Sequence, residues 1–172
     1  AINTIPRDEF ENEIVKYINV DRYLRWLAGV ILTQNFDGFV HNYALYLNSE
    51  TRLFEIIPWD YDATWGRDVN GKVMEEDYLR IEGFNTLTAR ILDVKSFRRQ
   101  YKNLLEVILN NQFNIDYLKP KIQGMHDLIR PYVQKDPYKK EDIHLFDKEP
   151  DYILDFIIAR AKYIRGKLDS LD

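Results

Sequence analysis

Two polar segments contain residues whose types and spacing could bind a metal ion and accept a proton. The first is Asp37-Gly38-Phe39-Val40-His41-Asn42, and the second is Pro58-Trp59-Asp60-Tyr61-Asp62. Clustered carboxylates together with an amide oxygen favour a hard cation such as Mg²⁺ or Mn²⁺ over zinc. The two segments are therefore the first candidates for a site that handles phosphate or another oxygen-rich ligand.

A predicted β-hairpin would bring the two segments together. Residues 43–47 and 53–57 are short, aromatic and β-branched, and the residues 48–52 that join them are polar. Pairing places the start of the first strand beside the end of the second. We therefore expect one shared site that contains Asp37, Asn42, Asp60 and Asp62.

The order of these residues also matches the arrangement of a phosphotransferase site. Protein kinases use an Asp-x-x-x-x-Asn loop, in which the Asp accepts the proton of the attacking hydroxyl and the Asn binds metal. In the same enzymes, an Asp that binds metal follows a β-hairpin later in the chain. Asp37 and Asn42 have this offset, but an ordinary turn at Asp37-Gly38 explains the spacing as well. Asn35 either orients this loop or is simply the C-terminal Asn of a helix.

Apolar periodicity predicts helices on both sides of the hairpin. One begins at Asp21 as its N-cap and ends near Gln34-Asn35, with Leu24, Leu27, Ala28 and Ile31 on its apolar face. Helical patterns resume at about Thr86, with Asp93 capping a helix that ends at Asn110-Asn111. Another helix covers 115–133, residues 137–150 are linker-like, and a last helix follows. The predicted fold is mainly α with a small β-hairpin (α+β), as one domain over residues 1–172.

Composition excludes several classes of function. The formal net charge is −4, and Lys and Arg are dispersed, so no basic field is present for nucleic acid. No apolar run approaches the roughly 18 residues that a membrane-spanning helix needs. The chain has no cysteine, which excludes a thiolate metal site and a cysteine nucleophile.

Five segments carry a resemblance to a known family. The runs 41–46 (His-Asn-Tyr-Ala-Leu-Tyr) and 57–66 (Ile-Pro-Trp-Asp-Tyr-Asp-Ala-Thr-Trp-Gly) resemble the signature of the spore coat protein H (CotH) kinase family. Residues 22–28, 87–92 and the helix start at 97–101 are also similar to that family, so the resemblance covers nearly the whole chain.

The resemblance implies the C-lobe-like portion of an atypical protein kinase that transfers the γ-phosphate of ATP to Ser or Thr of spore coat proteins. By position, Asp37 matches the catalytic Asp, and Asn42 and Asp60 match residues that bind the ATP–metal cofactor. Asp62 is the candidate for an additional metal ligand. The resemblance further implies Mg²⁺ or Mn²⁺ as the metal and the spore coat as the location, with a secreted or surface location as the other option.

The chain departs from the family pattern in one large respect. Family members carry an N-terminal lobe that clamps ATP, and no segment here matches that lobe or contains a glycine-rich phosphate loop. We therefore expect the N-terminal lobe of the same polypeptide to be a required partner. Because phosphoryl transfer depends on positioning as well as on metal, the isolated chain is expected to be inactive or nearly so.

Two other functions remain open at this point. A non-catalytic spore coat or surface-binding module would keep the fold without turnover, although such a module has no need of Asp37, Asn42 and Asp60 together. Asp60-Tyr61-Asp62 is also an Asp-x-Asp motif of the kind that glycosyltransferases use to bind Mn²⁺. That function predicts a parallel α/β sheet before the motif.

Overall fold

The computed structural model of the protein describes residues 1–172 apart from the side chain of Lys140. Eight α-helices and two β-strands position the polar segments. In chain order they are α1 (Phe10–Ile14), α2 (Val20–Leu32), α3 (Phe36–Val40), β1 (Tyr43–Leu47), β2 (Phe54–Pro58), α4 (Thr86–Asp93), α5 (Lys95–Asn111), α6 (Ile115–Val133), α7 (Ile143–Phe146) and α8 (Glu149–Lys167). Short 3₁₀ helices cover Lys140–Asp142 and Leu168–Leu171. The prediction of a mainly helical chain with one small hairpin is confirmed.

Helix α2 forms the centre of the core. The predicted apolar face is confirmed, because Leu24, Leu27, Ala28 and Ile31 are completely buried. The helix packs against α5, β2, α3 and α8. Apolar side chains from α1 through the C-terminal 3₁₀ helix join it in one continuous cluster.

The predicted N-cap of this helix is wrong. Asn19, not Asp21, has the extended backbone of a cap, and its side chain accepts a hydrogen bond from the backbone N–H of Arg22 at 3.2 Å. Asp21 lies in the first turn, where a carboxylate suits the helix dipole, and pairs with Arg25 at 2.8 Å. Asn19 and Asp21 both have side chains that can cap a helix, so the backbone conformation decides which of them is the N-cap.

Strands β1 and β2 form the predicted antiparallel hairpin. The register pairs Tyr43 with Pro58 at the open end and Leu47 with Phe54 at the turn end. This pairing places the end of β2 beside the residues that precede β1, as the sequence predicted. Within the part of the chain that the structure describes, the sheet is two-stranded and antiparallel, which argues against the parallel α/β sheet that the glycosyltransferase alternative required.

The C-terminal helices agree with the sequence in extent and differ in detail. Helices α5 and α6 end where predicted, at Asn111 and Val133. Asp93 does not cap α5; it is the last residue of α4 and pairs with Arg7 at 2.6 Å. The linker-like segment contains α7, and Pro150 lies in the first turn of α8, where proline is tolerated.

A buried arginine ties the last helix to the centre of the fold. Arg160 of α8 donates to the carbonyl oxygen of Ile31 from Nε (3.0 Å) and Nη2 (2.7 Å). It also donates to the carbonyl oxygens of Glu76 (2.6 Å) and Leu79 (2.7 Å). The side chain is almost fully buried and no acidic group pairs with it among the described residues. Burial lowers the pKa of Arg160 to about 10, so the guanidinium stays protonated at neutral pH.

Replacing Arg160 with methionine should destabilise the protein strongly. The substitution keeps much of the apolar volume but leaves the carbonyl groups of Glu76 and Leu79 without a donor, while that of Ile31 keeps the backbone N–H of Gln34 at 3.2 Å. Each unsatisfied buried group costs about 1–3 kcal/mol. We expect the free energy of unfolding in a urea titration to fall by about 3 kcal/mol or more. Lys162→Met is the matched control, because Lys162 is exposed on the same helix. Equal stability of the two variants would contradict this role of Arg160.

Candidate functional site

Asp37 lies in the short helix α3 rather than in the turn that its Asp-Gly sequence predicted. Asn35 is the N-cap of this helix, and its Oδ1 accepts a hydrogen bond from the backbone N–H of Gly38 at 2.7 Å. Asn35 is completely buried, and its Nδ2 has no partner among the described residues. Of the two roles considered for Asn35, the structure supports the one in which it orients the segment that carries Asp37.

Asn42 links the two polar segments. Its Nδ2 donates to Oδ2 of Asp37 at 2.5 Å and to the main-chain carbonyl oxygen of Asp60 at 3.2 Å. The carbonyl oxygen of Asn42 accepts from the backbone N–H of Trp59 at 3.0 Å. Asp37, Asn42 and Asp60 therefore lie together at the open end of the hairpin.

Asp60 has an unusual backbone conformation for a residue other than glycine. Its φ is +53°, in the left-handed region, which aspartate tolerates better than most residues. Its side chain is exposed, and within the described part of the chain its carboxylate makes no hydrogen bond or ion pair. Both carboxylate oxygens are therefore available to a ligand.

Asp62 is positioned differently from the other three residues. Its Oδ1 accepts a hydrogen bond from the backbone N–H of Ala63 at 2.8 Å, as in a local turn. The side chain lines a cavity of about 330 Å³ together with Arg67 and Tyr152. Among the described contacts, no hydrogen bond joins Asp62 to the other candidate residues.

Tyr61 connects the candidate site to the core. Its hydroxyl accepts a hydrogen bond from Nε1 of Trp26 at 2.6 Å, and burial raises the pKa of Tyr61. Its ring lies against Gly38, where an added Cβ would come within 2.7 Å of Tyr61 Cε1 and of Asn35 Oδ1. Neither Trp26 nor Gly38 was predicted from the sequence to belong to the site. The glycine beside Asp37 was the available signal, and it was interpreted as a turn residue.

The donor atoms suit a hard cation that is completed by other ligands. Because Nδ2 of Asn42 is used in hydrogen bonds to Asp37 and to the main chain of Asp60, its Oδ1 is left as an acceptor. No group of three or more His, Cys, Asp or Glu side chains converges as a metal site in the portion that the structure describes. Mg²⁺ usually takes only one or two protein carboxylates and fills its remaining positions with water and substrate phosphates. The residues present fit that pattern and do not form a complete protein cage.

Gly38→Ala should disturb this arrangement while leaving the rest of the fold intact. The new methyl group would displace the Asn35 cap or the Tyr61 ring, and overpacking of this kind costs about 1–3 kcal/mol. We expect a lower midpoint of thermal unfolding and faster hydrogen exchange in residues 36–42.

Gly124→Ala in α6 is the matched control for this prediction. An added Cβ there meets no atom within 4 Å, so the change should be neutral or stabilising by up to about 1 kcal/mol. If Gly38→Ala is as stable as Gly124→Ala, the contacts of Asn35 and Tyr61 do not restrict position 38.

Comparison with known proteins identifies relatives over nearly the whole chain. A family model described as "CotH kinase protein" matches residues 1–164. The chain is 58% identical over 170 residues to the inner spore coat protein H of Bacillus subtilis (strain 168), covering 99% of this chain and 47% of that protein. It is 30% identical over 170 residues to the inner spore coat protein H-like protein of the same strain, covering 99% of this chain and 52% of that protein.

A more distant relative comes from a fungus. The spore coat protein homolog 1 of Rhizopus delemar is 26% identical over 139 residues, which are 75% of this chain and 23% of that protein. The chain therefore spans about half the length, or less, of the curated relatives that it matches. The names of these relatives agree with the spore coat location expected from resemblance. The match over residues 1–164 confirms the predicted family, and the chain belongs to the CotH kinase protein family.

Proposed function

We propose that this chain is the base- and metal-bearing half of an atypical protein kinase, which transfers the γ-phosphate of ATP to Ser or Thr of spore coat proteins. The observation that carries the proposal is the position of Asn42, whose Nδ2 contacts both the carboxylate of Asp37 and the main chain of Asp60. The family name supports kinase activity, and the relatives' names support a role in the spore coat.

Asp37 is the proposed general base. Its Oδ2 accepts the hydrogen bond of Asn42, which fixes the orientation of the carboxylate. No hydrogen bond to Oδ1 occurs among the described residues, so this oxygen is free to accept the proton of a substrate hydroxyl. The buried Asn35 cap holds the helix that carries Asp37, so the base is positioned before the substrate binds.

Asn42 and Asp60 are the proposed ligands of Mg²⁺ or Mn²⁺, through Oδ1 and the carboxylate respectively. Asp62 is proposed as an additional ligand, for which its Oδ2 is available. When bound, the metal would neutralise charge on the phosphates of ATP. The carbonyl oxygen of Asp60, whose backbone is left-handed, accepts one hydrogen bond from the Asn42 amide, and the carboxylate of Asp37 accepts another, so one amide group positions both the base and the metal ligand.

The remaining requirement, a group that clamps ATP, is assigned to the part of the polypeptide that lies outside this chain. The relatives are about twice as long or longer, which leaves room for such a lobe. The isolated chain is accordingly proposed to have little or no activity.

Asp37→Asn in the longer polypeptide should abolish phosphate transfer. The amide is nearly isosteric but cannot accept a proton, and loss of a general base costs about 10²–10⁴-fold in rate. The measurement is incorporation of radiolabel from γ-labelled ATP into isolated spore coat proteins, with Mg²⁺ or Mn²⁺ present. Asp151→Asn is the matched control, because Asp151 is exposed on α8 and carries no proposed role.

Two results would contradict the kinase assignment. Transfer by Asp37→Asn at the control rate would show that Asp37 is not the base. Absence of transfer by the unmodified polypeptide, with correct folding shown by circular dichroism, would favour the non-catalytic coat module instead.

Metal binding can be tested separately from catalysis. We expect calorimetric titration of the chain with Mn²⁺ to show weak binding, because two protein carboxylates without phosphates form an incomplete site. Asp60→Asn should remove the signal, whereas Asp151→Asn should retain it. Tight binding that persists in Asp60→Asn would place the metal elsewhere in the chain.

A further inference from the structure

Helix α3, which carries the proposed base, is too short to fix its own orientation. It has five residues, whereas isolated helices shorter than about 12–15 residues are marginal in water. The Asn35 cap fixes the start of the helix, and side-chain packing must fix its rotation about the helix axis. Rotation would turn the carboxylate of Asp37 away from Asn42. The orientation of the base therefore depends on the tertiary contacts of α3.

Two aromatic residues of α3 make these contacts. Phe36 and Phe39 share one side of the helix because they are three residues apart. Phe39 is completely buried and stacks on Trp26 of α2, with 5.9 Å between the ring centroids. Phe36 is half-buried, and its ring meets that of Tyr78 edge-on at 4.8 Å. Asp37 lies about 100° from Phe36 around the helix, so these rings leave its carboxylate uncovered.

Phe84 contacts both aromatic rings of α3. Its ring centroid lies 4.7 Å from that of Phe39, with 62° between the planes, and 5.6 Å from that of Phe36, with 28° between the planes. Edge-on and offset-stacked pairs are both favourable. One side chain thus spans the aromatic side of α3, and rotation of the helix would break at least one contact. Phe84 is nevertheless 57% exposed, so filling the core is not its main role.

The backbone on both sides of Phe84 is held in place. Gly83 has a φ of +63°, which favours glycine, and an added Cβ there would come within 2.7 Å of Cζ of Phe39. On the other side, Asn85 caps α4 by accepting a hydrogen bond from the backbone N–H of Thr88 at 2.8 Å. The ring of Phe84 therefore presses on α3 from a fixed support.

We infer that Phe84 is a positioning residue for Asp37. It holds α3 in the rotation at which the Asp37 carboxylate accepts the hydrogen bond of Asn42. This inference rests on the proposed function, in which Asp37 is the base. Phe84 packs on the helix that carries the base, whereas the proposed metal ligands belong to other segments. Loss of its ring should therefore slow the transfer step and leave the binding of ATP unchanged.

Kinetics of the longer polypeptide test the inference, with γ-labelled ATP and isolated spore coat proteins. Phe84→Ala should lower kcat by about 10- to 100-fold, because a displacement of about 1 Å in a reacting group has an effect of this size. The KM for ATP should stay unchanged. Phe84→Tyr keeps the ring and should restore kcat. Tyr132→Ala is the control, because it removes a ring that is 73% exposed on α6.

Hydrogen exchange gives a readout that does not use activity. In the longer polypeptide, backbone amides of residues 36–42 should exchange about tenfold faster in Phe84→Ala than in the unmodified protein, because α3 opens more easily. Residues 115–133 of α6 should exchange equally in both. If Phe84→Ala does not fold, Phe84→Leu replaces it in both measurements, since leucine keeps an apolar side chain but removes the ring. The same directions of change are expected.

Three results would overturn the inference. One is a kcat of Phe84→Ala equal to that of Tyr132→Ala. Another is a lower kcat with unchanged exchange of residues 36–42, which would mean that Phe84 does not act through α3. The last is a higher KM for ATP at unchanged kcat. Failure of the proposed function is distinct, because the unmodified polypeptide would then transfer no phosphate, and the inference would fail with it.

Discussion

The arrangement of the fold depends on a buried positive charge that has no acidic partner. All four hydrogen bonds of the Arg160 guanidinium go to main-chain carbonyl oxygens, two to Ile31 and one each to Glu76 and Leu79. An unpaired buried charge is costly, and this one is tolerated because each carbonyl also needs a donor. The side chain thereby holds together the end of α2, the long connection that follows the hairpin, and α8.

The end of α2, which Arg160 anchors, also determines where the candidate site lies. Ile31 is followed closely by Gln34, whose φ is +50° and whose Nε2 donates to the carbonyl oxygen of Glu75 at 2.6 Å. Ile31, through Arg160, and Gln34 are thus both anchored to the connection that follows the hairpin, and Asn35 is the next residue. The N-cap Asn35, which orients Asp37, therefore follows directly on residues that are anchored to the core. The position of the proposed base is fixed by the same anchoring.

The sequence predicted those features that depend on periodicity. The apolar face of α2, the extent of α6 and the existence of the hairpin follow from repeated patterns over many residues. Features that depend on a single backbone angle were not predicted. Asn19 and Asp21 are both suitable caps, and only the extended backbone of Asn19 distinguishes them. Asp37-Gly38 is a turn-forming pair, but the cap supplied by Asn35 makes it part of a helix.

In the candidate site, too, the features set by a sequence pattern were predicted and those set by local geometry were not. Hairpin register was sufficient to bring Asp37, Asn42 and Asp60 together, because strand pairing is set by the sequence pattern. The hairpin register could not predict the position of Asp62. Its carboxylate accepts a hydrogen bond from the backbone N–H of Ala63, and the residue lines a separate cavity. The roles of Gly38 and Trp26 also require three-dimensional contacts, since both act through Tyr61.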